Sequence, residues 1–492
     1  MIESTKSGSS DNNERTFNPE PGSRIFFVGI GGISMCGLAE LAMHYGYPVS
    51  GSDKHLPPRV SRLTEQGATL YRTHDKSNII SFSPDVLVHT AAILPGNPEI
   101  EYAKEIGIPI VSRAEFLGWL TRKFSKVINI SGTHGKTTVT SMLAMIMIED
   151  QKDPTVHIGA EFQEFNSTVR AGADFSLLIS EACEYQKSFL EFRSSTAAIT
   201  NIDFDHVDCY RNIDELIDVF AIFTENIDND GTLVIPAHDH CVAATVTQMI
   251  KSRMSRSIPV PRIITTGLSD DRFLLDNSKP DIYADRIEYI DGLPAFDLWI
   301  FGELQGRIFL RVPGRHNIYN ALTASASAYA NNASIDSIIR ALNHFSGAEG
   351  RYNVKGTYHG ATVVTDYAHH PAAAQATLQA ASMMPHNNTW VVFQPLTYNR
   401  TKILFDDYVR VLKTCRHIIF SEIFSDREVN PGDISSSMIA DQINNSDGHA
   451  EFYPMKADII NRLNELVGPN DLVLILGPED IRELADELIK TP

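Results

Sequence analysis

The segment Ser131–Thr138 has the residue types of a phosphate-binding loop, reading Ser-Gly-Thr-His-Gly-Lys-Thr-Thr between an apolar, β-branched segment and a helix-like one. Its glycines let the backbone turn tightly and aim N–H groups inward, and the following helix adds the partial positive charge of its N-terminus. The lysine of such a loop reaches the β- and γ-phosphates of ATP, and a threonine hydroxyl ligates Mg²⁺. The sequence therefore predicts an ATP site rather than a plain glycine turn. Its residues are Gly132, Thr133, His134, Gly135, Lys136, Thr137 and Thr138.

A second glycine cluster, Val28–Met35, follows the first apolar segment and nearly matches the pattern G-x-G-x-x-G, with Ser34 in place of the last glycine. Asp53 lies roughly where a dinucleotide-binding fold places the acid that contacts the ribose. The pattern is weak by itself. It leaves open a plain strand-to-helix turn and a site for NAD(P).

Two polar segments, Ser180–Glu184 and Thr200–Asp208, each follow a predicted strand. The carboxyl ends of strands are where α/β sheets bind ligands, and a carboxylate and a neutral imidazole beside a triphosphate suit Mg²⁺. Glu181 and His206 are the candidate Mg²⁺ ligands. The alternatives are that Glu181 is a solvated acid in a loop and that His206 is a histidine of the core. A further alternative, disfavoured because the cysteines are not paired in the sequence, is a zinc site made of Cys183, His206 and Cys209.

The elements that must position these loops are short apolar strands alternating with helices, which predicts parallel sheets. The predicted strands are Arg24–Val28, Asp85–His89, Lys126–Ile130, Phe175–Ile179, Thr196–Thr200, Ala361–Thr365, Thr389–Phe393, His417–Phe420 and Asp471–Leu476. Residues 259–312 are predicted to be β-rich. The resulting fold class is α/β with three domains: a Rossmann-like N-terminal domain at 23–120, a central domain with a parallel sheet of the P-loop ATPase type at 121–312, and a Rossmann-like C-terminal domain at 313–492. Residues 1–22 are predicted to be a disordered tail.

Composition excludes several classes of protein. A net charge of −19 over 492 residues is incompatible with binding nucleic acid through bulk electrostatics. Five cysteines without a C-x-x-C pair argue against a disulfide framework and for a reducing compartment. The polar N-terminus does not resemble a signal peptide. The sequence contains no run of 18 apolar residues, so no membrane span is predicted. We therefore expect a cytoplasmic enzyme, monomeric or homodimeric.

Several motifs together resemble the Mur ligase family, over residues 24 to 485. The loop G-T-H-G-K-T-T is the form that these ligases carry in place of a strict Walker A sequence, and the N-terminal G-I-G-G-x-x-M resembles that of the alanine-adding members. Three C-terminal segments resemble family motifs in the same way. They are Pro313–Ala321, Asp366–Pro371, which reads Asp-Tyr-Ala-His-His-Pro, and Gln394–Thr401.

The resemblance implies a ligase that uses ATP and Mg²⁺ to join L-alanine to the lactyl carboxylate of UDP-N-acetylmuramate through an acyl phosphate, for peptidoglycan synthesis. It also implies roles for individual residues. The UDP-sugar would be bound by Gly29, Gly31, Gly32, Asp53 and His74. ATP would also contact Asn317 and Arg351. Mg²⁺ would be held by Thr137, Glu181 and His206, with Glu184 as a further carboxylate. The amino acid would face Tyr367, His369 and Arg400. The catalytic groups would be Lys136, His206, His369 and Arg400.

Three departures from the family pattern lie in the domain that selects the amino acid. Gly350 stands where relatives usually have arginine, Leu396 replaces a histidine, and Thr365 replaces an acid. They leave open a Mur ligase that adds another amino acid or peptide, and a non-catalytic Mur-like protein that binds nucleotide. An NAD(P)-dependent oxidoreductase is a third alternative, but it leaves the lysine loop and the histidine pair unexplained.

Overall fold

The computed structural model describes residues 18–425 and 428–490. It contains three sheets, each flanked by helices, in the order of the chain. Most of the predicted disordered tail, residues 1–17, lies outside the described residues. Asn18 contacts the N-terminal domain, where its side-chain oxygen accepts hydrogen bonds from Trp119 and Lys123.

The N-terminal domain has a five-stranded parallel sheet in the order β3-β2-β1-β4-β5. Its strands are β1 Ile25–Val28, β2 Val49–Ser52, β3 Thr69–Tyr71, β4 Val86–His89 and β5 Ile110–Ser112. Its helices are α1 Ile33–His44, α2 Ser61–Glu65, α3 Lys76–Phe82, α4 Pro98–Glu105 and α5 Arg113–Thr121. All four side chains of β1 are fully buried, as expected for a strand covered by helices on both faces. The Rossmann-like prediction is confirmed.

The central domain has a ten-stranded sheet in the order β15-β14-β13-β12-β11-β10-β6-β9-β7-β8. Its strands are β6 Lys126–Ser131, β7 Thr155–Phe162, β8 Ser167–Arg170, β9 Leu177–Glu181, β10 Ser194–Ile199, β11 Ile227–Pro236, β12 Arg262–Leu268, β13 Ile282–Ile290, β14 Leu293–Ile300 and β15 Glu303–Phe309. The helices that follow them are α6 Lys136–Glu149, α7 Ile213–Glu225, α8 His240–Ser255, α9 Arg315–Ala330 and α10 Ile335–His344. Seven neighbouring strands are parallel, whereas β8, β14 and β15 pair antiparallel at the two edges. The region predicted to be β-rich forms β12 to β15.

Helices α9 and α10 lie beyond the predicted boundary at residue 313, yet they pack against α6 in the core of the central domain. Helix α9 is rich in alanine and serine and is buried over most of its length. A boundary after about residue 348 fits this packing better than one at 313, because the C-terminal sheet begins only at Asn353.

The C-terminal domain has a six-stranded sheet in the order β16-β17-β21-β18-β19-β20, parallel except for β16. Its strands are β16 Asn353–Tyr358, β17 Ala361–Asp366, β18 Thr389–Phe393, β19 Ile418–Phe420, β20 Ala450–Phe452 and β21 Leu472–Leu476. Its helices are α11 Pro371–Met383, α12 Tyr398–Ile403, α13 Phe405–Leu412, α14 Ser436–Asn444, α15 Lys456–Leu466 and α16 Glu479–Lys490. Across the described ranges, no helix combines the length and apolarity that a membrane span requires.

The order of the central strands brings three functional segments together. Strand β6 lies between β9 and β10, with Ile130 opposite Glu181 and Ser131 opposite Ile199. The loop after β6, the acid that ends β9 and the loop after β10 therefore leave the sheet at the same edge. This arrangement places the predicted metal ligands beside the predicted phosphate loop.

Candidate active site

The phosphate loop adopts a conformation that requires glycine at two positions. Gly132 and Gly135 have φ values of +123° and +86°, which favour glycine. A Cβ on Gly132 would collide with the hydroxyl of Thr200, and one on Gly135 with the amide oxygen of Asn320. Gly135 is the N-cap residue of α6 and has no side chain to cap it, so the first N–H groups of this buried helix are directed at the loop's concave side.

The loop is fixed by hydrogen bonds to the segment after β10. The Thr133 N–H donates to the carbonyl of Asn201 at 3.0 Å, and the His134 N–H donates to the side-chain oxygen of Asn201 at 2.9 Å. The hydroxyl of Thr200 donates to the His134 carbonyl at 2.6 Å. These bonds, which come from the protein itself, preorganise the loop for phosphate.

Lys136 is held by a carboxylate from the segment after β9. Its Nζ donates to both oxygens of Glu184, at 2.9 and 3.2 Å, and to the carbonyls of Gly132 and Thr133. Burial alone would lower the pKa of Lys136, but the negative charge of Glu184 raises it above its usual value. Lys136 therefore stays charged at neutral pH.

The three predicted Mg²⁺ ligands line one cavity beside Lys136. The Thr137 hydroxyl accepts a hydrogen bond from Arg351 at 3.3 Å, and one carboxylate oxygen of Glu181 accepts from the Gly159 N–H at 2.9 Å. The Nδ1 atom of His206 is buried without a hydrogen-bond partner, and burial keeps the pKa of this imidazole below its usual value. A neutral imidazole with an unused nitrogen and a carboxylate with an unused oxygen fit a divalent cation.

Two other groups of side chains come close enough to share an ion. Cys183, Glu184 and His206 have ligand atoms within 4.8 Å of one another. Two residues of the alternative zinc site, Cys183 and His206, are therefore close together, but the third member of the group is Glu184 and not Cys209. Burial raises the pKa of the Cys183 thiol, which disfavours the thiolate that zinc requires. The other group, His134, Asp203 and His370, joins the phosphate loop to the C-terminal domain.

The histidine-pair motif enters the cavity from the end of β17. Asp366 accepts hydrogen bonds from the N–H groups of Tyr352 and Ala368, both at 2.9 Å, which fixes the turn into α11. Nδ1 of His369 lies 2.8 Å from the Tyr367 carbonyl. A carbonyl only accepts, so Nδ1 carries the proton and Nε2 keeps its lone pair. Burial and the charge of Arg400 hold the pKa of His369 well below its usual value, so this imidazole is neutral.

Arg400 forms a buried ion pair with Asp205 across the boundary between the central and C-terminal domains. Its Nε donates to Asp205 Oδ1 at 2.7 Å, and the two residues are 2% and 6% exposed. Burial alone would raise the pKa of Asp205, but Arg400 holds it well below its usual range. Arg400 was predicted to face the amino acid and to be a catalytic group. That role stays a prediction, and the structure adds that part of its guanidinium is already engaged.

These groups enclose a cavity of about 510 Å³ between the central and C-terminal domains. The predicted ATP residues Asn317 and Arg351 line it, as do the predicted amino-acid residues Tyr367 and His369. Asn317 uses its amide within its own motif, donating to Pro313 and accepting from Asn320. The cavity thus collects the residues predicted for ATP, the metal and the amino acid from motifs that are far apart in the sequence.

The residues predicted to bind the UDP-sugar lie apart from this cavity, in the N-terminal domain. Both carboxylate oxygens of Asp53 accept backbone N–H groups, from Gly31 and His55, each at 2.9 Å. Asp53 therefore stabilises the glycine loop. His74 lies 3.0 Å from the buried carboxylate of Glu99, inside the domain. These residues stay predictions for the UDP-sugar.

Sequence reasoning missed three residues that shape the site. Asp205 lies with His206 in the segment Thr200–Asp208, but its role becomes apparent only from its buried ion pair with Arg400. Asn320 belongs to the Pro313–Ala321 motif, and its contact with Gly135 depends on how α9 packs. Arg482 belongs to no motif and reaches Tyr367 from α16.

The fold and site define a three-domain, nucleotide-binding α/β protein, and comparison with known proteins assigns its family. Family models match in order: the Mur ligase family catalytic domain at residues 24–125, the Mur ligase middle domain at 130–328, and the Mur ligase glutamate ligase domain at 350–478. The chain belongs to the Mur ligase family, whose members are ATP-dependent ligases. The motifs predicted a Mur ligase, and this prediction is confirmed in preference to the alternative of an NAD(P)-dependent oxidoreductase.

Individual relatives match over nearly the whole chain. A UDP-N-acetylmuramate–L-alanine ligase from Clostridium acetobutylicum is 39% identical over 94% of this chain and 96% of its own length. A second, from Acetivibrio thermocellus, is 36% identical over 96% and 97%. Among solved structures, a UDP-N-acetylmuramate–alanine ligase from Thermotoga maritima superposes with a TM-score of 0.77 at 24% identity, covering 95% of this chain and 98% of its own. That structural likeness supports the fold.

Proposed function

We propose that this protein joins L-alanine to the lactyl carboxylate of UDP-N-acetylmuramate with hydrolysis of ATP to ADP and phosphate. The observation that carries this proposal is the full-length similarity to relatives named for that reaction. The site supports it independently, because a charged lysine in a phosphate loop shares a cavity with a neutral histidine from another domain. The alternatives of a different acceptor or a non-catalytic protein are not favoured.

The first step of the proposed reaction activates the carboxylate. A carboxylate is a poor electrophile, so its oxygen attacks the γ-phosphorus of ATP, ADP leaves, and an acyl phosphate forms. The N–H groups at the start of α6 and the ammonium of Lys136 stabilise charge on the transferred phosphoryl group. Arg351 adds a second positive charge beside Thr137. A bound Mg²⁺ would be held by Thr137 and Glu181, with His206 beside them, and would neutralise phosphate charge.

The second step is attack of the amine of alanine on the acyl carbon, with release of phosphate. His369 lines the cavity, and its unprotonated Nε2 accepts a hydrogen bond from the amine, which orients the amine nitrogen toward the acyl group. The C–O bond to phosphate breaks as the C–N bond forms, and the proton that the nitrogen loses leaves with the phosphate. Activation thus depends mainly on the central domain, to which the C-terminal domain adds Arg351, whereas amine attack depends on the C-terminal domain. We infer that the order of use follows this division, with the acyl phosphate formed before the amino acid is consumed.

The acceptor and the order of steps are tested together. With ATP and UDP-N-acetylmuramate, phosphate release is expected to be fastest with L-alanine, and weaker but measurable with serine and glycine, because a pocket rejects one extra group by only ~1–3 kcal/mol. Positional isotope exchange in ATP is expected with the UDP-sugar and without any amino acid. A clear preference for a large or acidic amino acid would contradict the proposed acceptor.

The proposed metal ligands are tested by Mg²⁺ titration. Glu181→Ala and His206→Ala are each expected to raise the Mg²⁺ concentration for half-maximal activity by about tenfold or more, because each removes a ligand or an orienting group. Glu288→Ala is a matched control, since this exposed carboxylate of the central domain pairs with Arg307 at 2.6 Å and lies outside the cavity. Stoichiometric Zn²⁺ that copurifies and supports activity would instead favour the group around Cys183.

We further propose that the protein acts in the cytoplasm as a monomer or homodimer, where its ATP and UDP-sugar substrates occur. None of its five cysteines forms a disulfide, which fits a reducing compartment.

A further inference from the structure

A second cavity, of about 690 Å³, lies where the three domains meet. The N-terminal domain contributes Ile33 and Arg59, and the central domain contributes the end of β7. The two cavities are adjacent, because four residues line both of them. These are Gly159, Arg351, Tyr367 and Leu396. A ligand in the second cavity would therefore lie beside the first, with these shared residues next to it.

Two arginines flank the ring of Tyr367 at this junction. The guanidinium carbon of Arg351 lies 5.1 Å from the ring centroid, and that of Arg482, in the first turn of α16, lies 5.3 Å from it. Contact with the ring stabilises each cation, but burial and the positive charge of Arg351 both lower the pKa of Arg482, so the two cations repel each other. A bound anion between or beside them would remove that repulsion.

Like Arg351, and unlike Arg59 and Lys355, Arg482 forms no ion pair among the described residues that line the second cavity. Its Nε is buried without a hydrogen-bond partner, and within 18–425 and 428–490 it forms no ion pair. By contrast, Arg59 pairs with Glu479 at 3.9 Å, and Lys355 pairs with Glu349 at 3.3 Å. A buried N–H left without an acceptor is costly, and an anionic ligand beside Nε of Arg482 would satisfy it.

The backbone makes room for this side chain at Gly350. A Cβ on Gly350 would collide with Nη1 of Arg482, and the φ of +68° also disfavours any other residue there. Gly350 is one of the positions at which this sequence departs from its family, and the space it leaves is filled by the guanidinium of Arg482. The departure is therefore compensated by a cation from α16.

We propose that Arg482, together with Arg351, binds the carboxylate of the incoming amino acid, an inference that rests on the proposed function. Arginine suits a carboxylate because it offers two parallel N–H donors. Arg400 is less suited, because its Nε is committed to Asp205. A carboxylate held beside Tyr367 leaves the amine of a small amino acid free to enter the nucleotide cavity, where His369 and Lys136 lie.

The test compares L-alanine with L-alaninamide, which has the amine but no carboxylate. In Arg482→Gln the KM for alanine is expected to rise by about tenfold or more, as when a hydrogen bond to a charged group is lost. The kcat/KM for alaninamide is expected to stay within about twofold of wild type, since alaninamide does not use the guanidinium. Arg482→Lys is expected to recover part of the preference for alanine.

The matched control is Lys355→Ala, which removes a paired cation from the same cavity. It is expected to leave the KM for alanine within about twofold, as for surface substitutions in general. Melting temperatures of both variants check that the domains remain folded. A purely structural role for Arg482 would lower activity with alanine and alaninamide alike.

The outcomes separate this inference from the proposed function. If wild type shows no alanine-dependent phosphate release, the proposed function fails, whatever Arg482 does. If wild type uses alanine but Arg482→Gln keeps the same preference for alanine over alaninamide, the inference alone is wrong. A rise in the KM for UDP-N-acetylmuramate in place of that for alanine would assign Arg482 to the sugar's carboxylate and would also overturn it.

Discussion

Replacing Lys136 with alanine is expected to reduce the rate of ligation by about a hundredfold or more while the protein stays folded. Removing one preorganised charge at a developing oxyanion typically costs ~2.7–4 kcal/mol of transition-state stabilisation. The reason lies in the geometry of the loop. Lys136 is the first residue of α6, and its ammonium stays protonated because Glu184 lies 2.9 Å away. The measurement is phosphate release at saturating ATP, UDP-N-acetylmuramate and alanine.

The substitution also leaves the carboxylate of Glu184, which is 1% exposed, without its cation. Stability and chemistry are separated by the double variant Lys136→Ala/Glu184→Gln, which is expected to recover melting temperature but not activity. Lys152→Ala is the matched control, because this lysine follows the other end of α6 and pairs with Asp150, away from the cavity. Retention of more than about a tenth of wild-type turnover, a loss under ~1.4 kcal/mol, would contradict the assignment of Lys136.

Much of the fold could be predicted because buried parallel strands leave continuous apolar runs. The strand predicted at Lys126–Ile130 is observed at Lys126–Ser131, and that predicted at Asp471–Leu476 at Leu472–Leu476. The phosphate loop was predictable for a different reason. Its function depends on local backbone conformation and on the helix that directly follows, so every group needed lies in one segment.

The rest of the site depends on pairings that no local pattern contains. Glu181 and Glu184 are three residues apart, yet one accepts from Gly159 on β7 and the other binds Lys136. The sequence could not assign these partners, because the chain turns sharply after β9. Arg482 was not predictable at all, since a lone arginine in an amphipathic helix normally faces solvent.

The domain to which α9 belongs also could not be predicted from its sequence. A family motif begins at Pro313, and a strand-helix pattern restarts soon after it, which favoured a boundary at 313. The helix is instead surrounded by core residues of the central domain. A helix of alanines and serines has no clear apolar stripe, so its sequence does not indicate which domain covers it.

Breaking the ion pair between Asp205 and Arg400 is expected to have the second largest effect. Asp205→Ala leaves a guanidinium that is 2% exposed without its partner, and removing one member of a buried pair typically costs ~3–5 kcal/mol. Because the pair joins the central and C-terminal domains, part of that cost falls on the arrangement that brings His369 to the phosphate loop. We expect a lower melting temperature and a loss of turnover of about a hundredfold.

The pH dependence of this pair follows from the lowered pKa of Asp205. A carboxyl group whose pKa is depressed in the folded protein stabilises it fully above the unfolded value of ~3.9, and that stability is lost as the pH falls through the folded pKa. The pair is therefore intact throughout the range of enzyme assays. The activity ratio of Asp205→Ala to wild type is expected to be constant between about pH 6 and 8.

A double variant distinguishes a structural ion pair from two separate catalytic groups. If the pair acts mainly by joining the domains, Asp205→Ala/Arg400→Met should be more stable than Asp205→Ala, because no buried charge is left unpaired. Glu149→Gln is the control, since Glu149 pairs with Arg340 on an exposed surface, where such pairs contribute little. If the double variant recovers stability but no activity, Arg400 also contacts substrate, as the sequence predicted. If Asp205→Ala alone has wild-type stability and turnover, the pair does not hold the two domains in their active arrangement.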